Sequence, residues 1–163
     1  MSTTLQNLVS EIQADKAEFD EHMQAPASTE SLRTAQARAQ QELSYTLPSE
    51  YLELLALADG IDSNGITLYA SHTRPKSNTN AAIEGVVEAN LLWRKNAGNN
   101  RFVFFGESGG VMYCYNLETK RYEIIDRIAQ DVDDEANVFA TCEALLTVML
   151  NHMLDRYGAE DEA

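Results

Sequence analysis

The 163-residue sequence predicts an α+β fold in which helices pack on a small, largely antiparallel sheet. Apolar residues recur at helical spacing through most of the first 95 positions, and that period returns near the C-terminus. Between them, over about 101–126, lie three runs rich in β-branched and aromatic residues: RFVFFG, VMYCYN and RYEIID. Their connectors, GESGG and LETK, are short enough for hairpins, so a three-strand meander is the economical arrangement.

Leu5, Leu8, Val9, Ile12, Phe19 and Met23 mark a one-sided first helix, which Ala25-Pro26-Ala27 breaks. Ser28 or Thr29 can cap residues 30–43, whose thin stripe of Leu32, Ala35, Ala39 and Leu43 puts this second helix at the periphery. TLPSEYLELLALADG (46–60) reads as a third helix, with Pro48 near its first turn, Tyr51, Leu54, Leu55 and Ala58 on one face, and Gly60 at the C-cap. Asp62-Ser63-Asn64-Gly65 then forms a turn, ITLYA (66–70) a short strand and SHTRPKSNTN (71–80) a loop. Ile83, Val86, Val87, Leu91 and Trp93 predict a fourth helix running to about Lys95, ended by Ala97-Gly98-Asn99-Asn100. After the meander and an acidic loop, DVDDEA (131–136), a long closing helix is marked by Cys142, Leu145, Leu146, Met149, Leu150 and Met153 and capped by Thr141. No repeat divides the chain, which reads as a single domain over 1–163.

Charge separates the function classes. Twelve Lys and Arg against 26 Asp and Glu give a formal net charge of −14. Nucleic acids and anionic membranes bind by drawing counterion release from Lys and Arg, so neither is an expected partner. A basic protein would be attracted, although acidity also serves solubility alone. No apolar run reaches the roughly 18 residues that span a bilayer, and the N-terminus lacks the basic start and apolar core of a signal peptide, so a cytoplasmic protein is expected. Cys114 and Cys142 have no C-x-x-C spacing and read as buried reduced thiols.

The spacing Gly106-Glu107-Ser108-Gly109-Gly110 matches the G-x-S-x-G pattern of a hydrolase nucleophile elbow, and Ser108, Asp126 or Asp131, and His152 follow in triad order. An elbow requires a helix after the serine. VMYCY instead predicts a returning strand, so Ser108 reads as part of a hairpin turn and no catalytic residue is assigned. His22, His72 and His152 are scattered, and Asp131, Asp133 and Asp134 lack the glycine and terminal glutamate of a calcium loop, so neither metal nor cofactor is expected. Trp93 falls on the apolar side of its helix. Tyr113 and Tyr115 share one face of their strand, either core or, if uncovered, a partner surface.

The order of segments resembles the SUKH superfamily, which includes the fungal cell-wall regulator of the Smi/Knr type and many bacterial toxin-immunity proteins. Leu47, Pro48, Tyr51 and Gly60 match its opening helix, and Gly106, Gly109, Gly110, Tyr113 and Tyr115 match its strand–turn–strand, within a resemblance covering about residues 40–155. Residues 1–39 are then an N-terminal helical extension, 40–157 the core and 158–163 an acidic tail. The resemblance implies a non-enzymatic binding domain, in bacteria often one that neutralises a secreted toxin. Combined with the acidic charge, it leads to an immunity protein that binds a basic toxin domain. The expected contacts are Asp131, Asp133, Asp134 and Glu135, with Glu107 at the hairpin tip and Asp59 and Asp62 at the first turn. A regulatory scaffold of the same fold is the alternative, and a serine hydrolase using Ser108 the remote one.

Overall fold

Ser2, Ser28 and Thr141 each offer a side-chain oxygen to a backbone N–H three residues on, and a helix starts after each. These are α1 (Thr3–Ala17), α2 (Thr29–Glu42) and the closing helix (Cys142–Met153). Between them stand α3 (Ser49–Leu55), which opens after Pro48, and α4 (Val86–Trp93), making the closing helix α5. The structure is a computed structural model describing residues 2–132 and 134–157; Asp133, the acidic tail and Met1 lie outside the described residues.

Among the described residues the sheet has six strands: β1 (Ile61–Ser63), β2 (Ile66–Leu68), β3 (Phe102–Glu107), β4 (Val111–Asn116), β5 (Arg121–Asp126) and β6 (Val138–Phe139). They lie in chain order with every neighbour antiparallel, so the expected three-strand meander is the centre of a six-strand one. The α+β class holds. The closing helix is shorter than "long" implies, twelve residues, or about 18 Å.

Several boundaries move. The first helix stops at Ala17 instead of reaching Met23, because the amides of Phe19 and Glu21 both turn back to the Lys16 carbonyl and Asp20 takes a left-handed φ of 57°. Phe19 is consequently 72% exposed. The third helix ends at Leu55, and Gly60, expected as its cap, instead enters β1 at φ +90°, where an added Cβ would crowd Ile83 and Ala70. The 62–65 turn contracts to Asn64-Gly65, both at positive φ, as a two-residue hairpin requires. The fourth helix begins at Val86, while Ile83 pairs with Arg74 across the preceding loop.

Register assigns the sheet faces. Pairing of Phe104 with Cys114 and of Cys114 with Glu123 puts these on one side; Tyr113 with Ile124 and Tyr115 with Tyr122 share the other. Phe105 alternates to the tyrosine side, where its ring meets Tyr45, Tyr51 and Tyr122, and a bulge between Phe104 and Gly106 brings Gly106 opposite Tyr113 on that same side. Helix α5 lies on this side. Tyr113 is buried with its hydroxyl 2.8 Å from His152 Nδ1, and Tyr115 packs against Tyr45. The tyrosine side is therefore core. On the opposite side Phe102, Phe104, Met112, Cys114 and Ile125 are buried too, with Trp93 against Phe104.

Two close fits hold the layers together. Gly106 leaves room for Met149 of α5 and for the Thr67 carbonyl of β2; an added Cβ would overlap both. Where β2 ends, the fully buried Asn90 takes over as the partner of β3: its side chain accepts from Phe104 N (2.8 Å) and donates to Phe104 O (2.9 Å) and to Val86 O (2.8 Å). One amide side chain thus replaces a missing strand residue.

Asn90→Leu keeps the branched outline but strands the Phe104 amide and carbonyl and adds methyl bulk, so urea unfolding should show a loss of about 2–4 kcal/mol with an unchanged m-value; an unshifted midpoint would contradict this role. Gly106→Ala should cost about 2 kcal/mol or more by overpacking, and a loss near zero would mean that α5 does not seat on β3 as described.

Candidate functional site

The connector after β3 settles the geometry around Ser108. Ser108 N donates to Val111 O at 2.9 Å, and the Ser108 hydroxyl accepts from Gly110 N (3.3 Å) and Val111 N (3.1 Å). The hydroxyl caps a hairpin turn, and β4 returns antiparallel to β3. His152, the base that a triad would need, has its Nδ1 beside Tyr113 and its ring stacked on Tyr157 at 4.4 Å between centroids. The elbow reading fails on the strand that succeeds the serine. Burial pushes both thiols, Cys114 and Cys142, well above the usual cysteine range, which keeps them protonated. Among the described residues no group of three or more His, Cys, Asp or Glu side chains is arranged to hold a metal.

The acidic residues singled out in the sequence divide into three settings. Asp59 is fully buried and accepts hydrogen bonds from Ser71 N (2.7 Å), Ser71 Oγ (2.9 Å) and Arg74 Nη2 (2.5 Å). Its own amide donates to Ala25 O. It pins the 70–85 loop from below and offers no carboxylate to a partner. Asp62 is half-buried on β1, where burial raises its carboxyl above the usual range against the opposing pull of Lys16 and a hydrogen bond with Thr67. Lys16 also donates to the Asp62 carbonyl at 2.6 Å.

Glu107 ends β3 and anchors the hairpin tip. It accepts from the Tyr69 hydroxyl (2.7 Å), which in turn accepts from Trp93 Nε1 (3.1 Å). Burial, then the Glu107 carboxylate, raises the Tyr69 phenol far above its usual range. Arg127 stacks on Trp93 with its guanidinium carbon 5.1 Å from the ring centroid, donates from Nη1 to Ser108 O at 2.5 Å, and donates from its amide to Gly110 O at 3.0 Å. The hairpin tip and the segment after β5 are thereby joined.

That segment carries the open acids. Asp126 Oδ1 accepts from Ile128 N (2.9 Å) and Ala129 N (2.7 Å), its carbonyl accepts from Gln130 N (2.8 Å), and its amide donates to Asp131 O (3.0 Å). The amides of Ala129 and then Ile128 hold the Asp126 carboxyl below the usual carboxylate range. This support of the turn is present above the ordinary carboxylate pKa and is lost as pH falls through the lowered one. Asp131, Asp134 and Glu135 are exposed, with Asp134 capping the 3-10 turn Glu135–Asn137. Asp133 lies outside the described residues.

The structure therefore brings Glu107 to the same corner as the 126–131 turn, while Asp59, with Ser71 and Arg74, and Asp62, with Lys16 and Thr67, lie elsewhere. Sequence reasoning missed Tyr69, Trp93, Asp126 and Arg127 as the framework of this corner. Asp126 alone left a signal, an acid at the last position of a strand and two residues before a turn amide it can accept from. The Trp93–Arg127 stack joins two elements with nothing local to announce it.

Beside this geometry stand the comparisons with known proteins. A search of curated proteins returned no match. A family profile, the SMI1 / KNR4 family (SUKH-1), matches residues 26–147. The match takes in α2, the whole sheet and the first half of α5, and α1 precedes it. With most of its length inside that match, the chain belongs to the SMI1 / KNR4 family (SUKH-1).

Proposed function

We propose that this protein is a cytoplasmic immunity protein: a non-enzymatic domain that neutralises a cognate bacterial toxin by binding a basic toxin domain. Membership of the SUKH group supports an immunity or regulatory binding domain. The observation that carries the finer reading is the set of exposed acids Asp131, Asp134 and Glu135 on a surface segment of a chain with a net charge of −14. Like charge opposes self-association and anionic ligands at that segment, whereas a basic protein gains both steering and complementarity. Among the described residues no helix is long and apolar enough to cross a membrane.

Asp133 joins the same surface in this proposal by its place in the sequence, and Glu107 contributes by fixing the neighbouring hairpin tip. Asp59 and Asp62 stand away from this surface, at the β1 edge of the sheet, where they hold the fold. Long-range charge sets the encounter rate and desolvated contacts set the lifetime of the complex.

The partner is sought in the product of the gene adjoining this chain's own. Replacing Asp131, Asp133 and Asp134 by Asn and Glu135 by Gln should slow association with it by about tenfold at low salt and flatten the salt dependence. An unchanged association rate would remove this loop from the interface. If the adjoining product does not bind, the toxin reading gives way to a regulatory scaffold of the same fold.

A further inference from the structure

Ile128 is 93% exposed, the most exposed large apolar side chain among the described residues. Single exposed apolar residues are ordinary on protein surfaces, but this one stands on a turn that its neighbours immobilise. Its own amide and that of Ala129 are held by Asp126 Oδ1. Arg127, one residue before, is tied to Ser108 O and Gly110 O and stacked on Trp93. Gln130, two residues after, sits at φ 58° with its side-chain amide on Asn99 Oδ1 and its carbonyl accepting from Arg101 Nη2. The backbone is fixed on both sides of an isoleucine that touches almost nothing.

We propose that Ile128 is the apolar anchor of the partner interface, inserting into a hydrophobic pocket on a basic protein whose lysines and arginines meet the flanking acids. This rests on the reading above that the acidic segment faces a basic protein. Charge complementarity selects the occupant: Asp126 and Asp131 flank the knob in sequence and Asp134 and Glu135 come soon after, so a second copy of this chain would bring acid against acid. An anchor on a preformed turn also binds without the ordering cost a loose loop would incur. The division of labour then falls within one short stretch of chain, with acids governing approach and one isoleucine governing residence.

Two synthetic peptides of equal positive charge test this without any toxin, one alternating lysine with leucine and the other lysine with serine. The lysine–leucine peptide should bind with saturable shifts of the Ile128 methyl resonances. Ile128→Ala, which removes three carbons from a solvated position and leaves the turn's hydrogen bonds intact, should raise its Kd roughly tenfold. The lysine–serine peptide should bind more weakly and be indifferent to Ile128→Ala. Equal binding of the two peptides, shifts that spare Ile128, or no binding at all would overturn the anchor. So would concentration-dependent dimers in sedimentation that Ile128→Asp abolishes, since the occupant would then be a second copy. Failure of the adjoining gene's product to bind would count against the toxin reading alone and leave the peptide result standing.

Discussion

Burial of the central strands from both sides is the constraint on which the rest of this structure depends. Phe102, Phe104 and Cys114 on one face of β3 and β4, and Phe105 and Tyr113 on the other, are all withdrawn from solvent, so neither face of these strands is free to bind a partner. An antiparallel sheet often leaves one side to water; here α5 takes one side, and Trp93 at the end of α4 lies against the other. The binding surface proposed above accordingly lies at the rim, where the connectors after β3 and β5 meet. The fit is tight enough to dictate sequence: glycine at 106 admits Met149, and Asn90 supplies β3 with the polar partner it lacks beyond the end of β2.

The acidic residues illustrate how burial redistributes a net charge. Asp59 and Glu123 are both withdrawn from solvent and fully occupied, Asp59 by Ser71 and Arg74, Glu123 by Asn116 and Thr119. They stabilise loops and contribute little to a partner's first approach. Asp131, Asp134 and Glu135 remain outside, and their segment begins from a turn organised by Asp126. Exposed acids such as Glu11, Asp20, Glu30 and Glu118 are spread over the rest of the chain; Asp131, Asp134 and Glu135 are distinguished by following directly on the turn that presents Ile128.

Much of the fold was legible in the sequence, for reasons that differ from element to element. Ser28 and Thr141 announced their helices because a hydroxyl one residue ahead of a helical run has a single productive use. The strands β3 to β5 were legible from β-branched and aromatic content with short connectors. Strands β1 and β6 were not, since three and two residues are too few to display a period. Helix α1 seemed longer because Phe19 falls on its apolar spacing, although the chain has already turned away at Lys16. At the site the outcome splits the same way. The exposure of Asp131, Asp134 and Glu135 was legible from composition, which needs no tertiary information. Asp59 looked equally exposed in its turn until Ser71 and Arg74, brought over it by the loop crossing above, enclosed it. The hydrolase pattern around Ser108 was resolved by the strand that returns from Val111, and the five-residue motif carries no information about that strand.

In the proposed complex the partner sits on the rim corner formed by the β3–β4 tip and the segment after β5. Hydrogen–deuterium exchange of the chain, alone and saturated with the product of the adjoining gene, tests it most directly. New protection should be concentrated in residues 107–111 and 126–137, with α2 and α3 unchanged. Protection centred on α2 and α3, with the rim corner exchanging as freely as in the isolated chain, would contradict it.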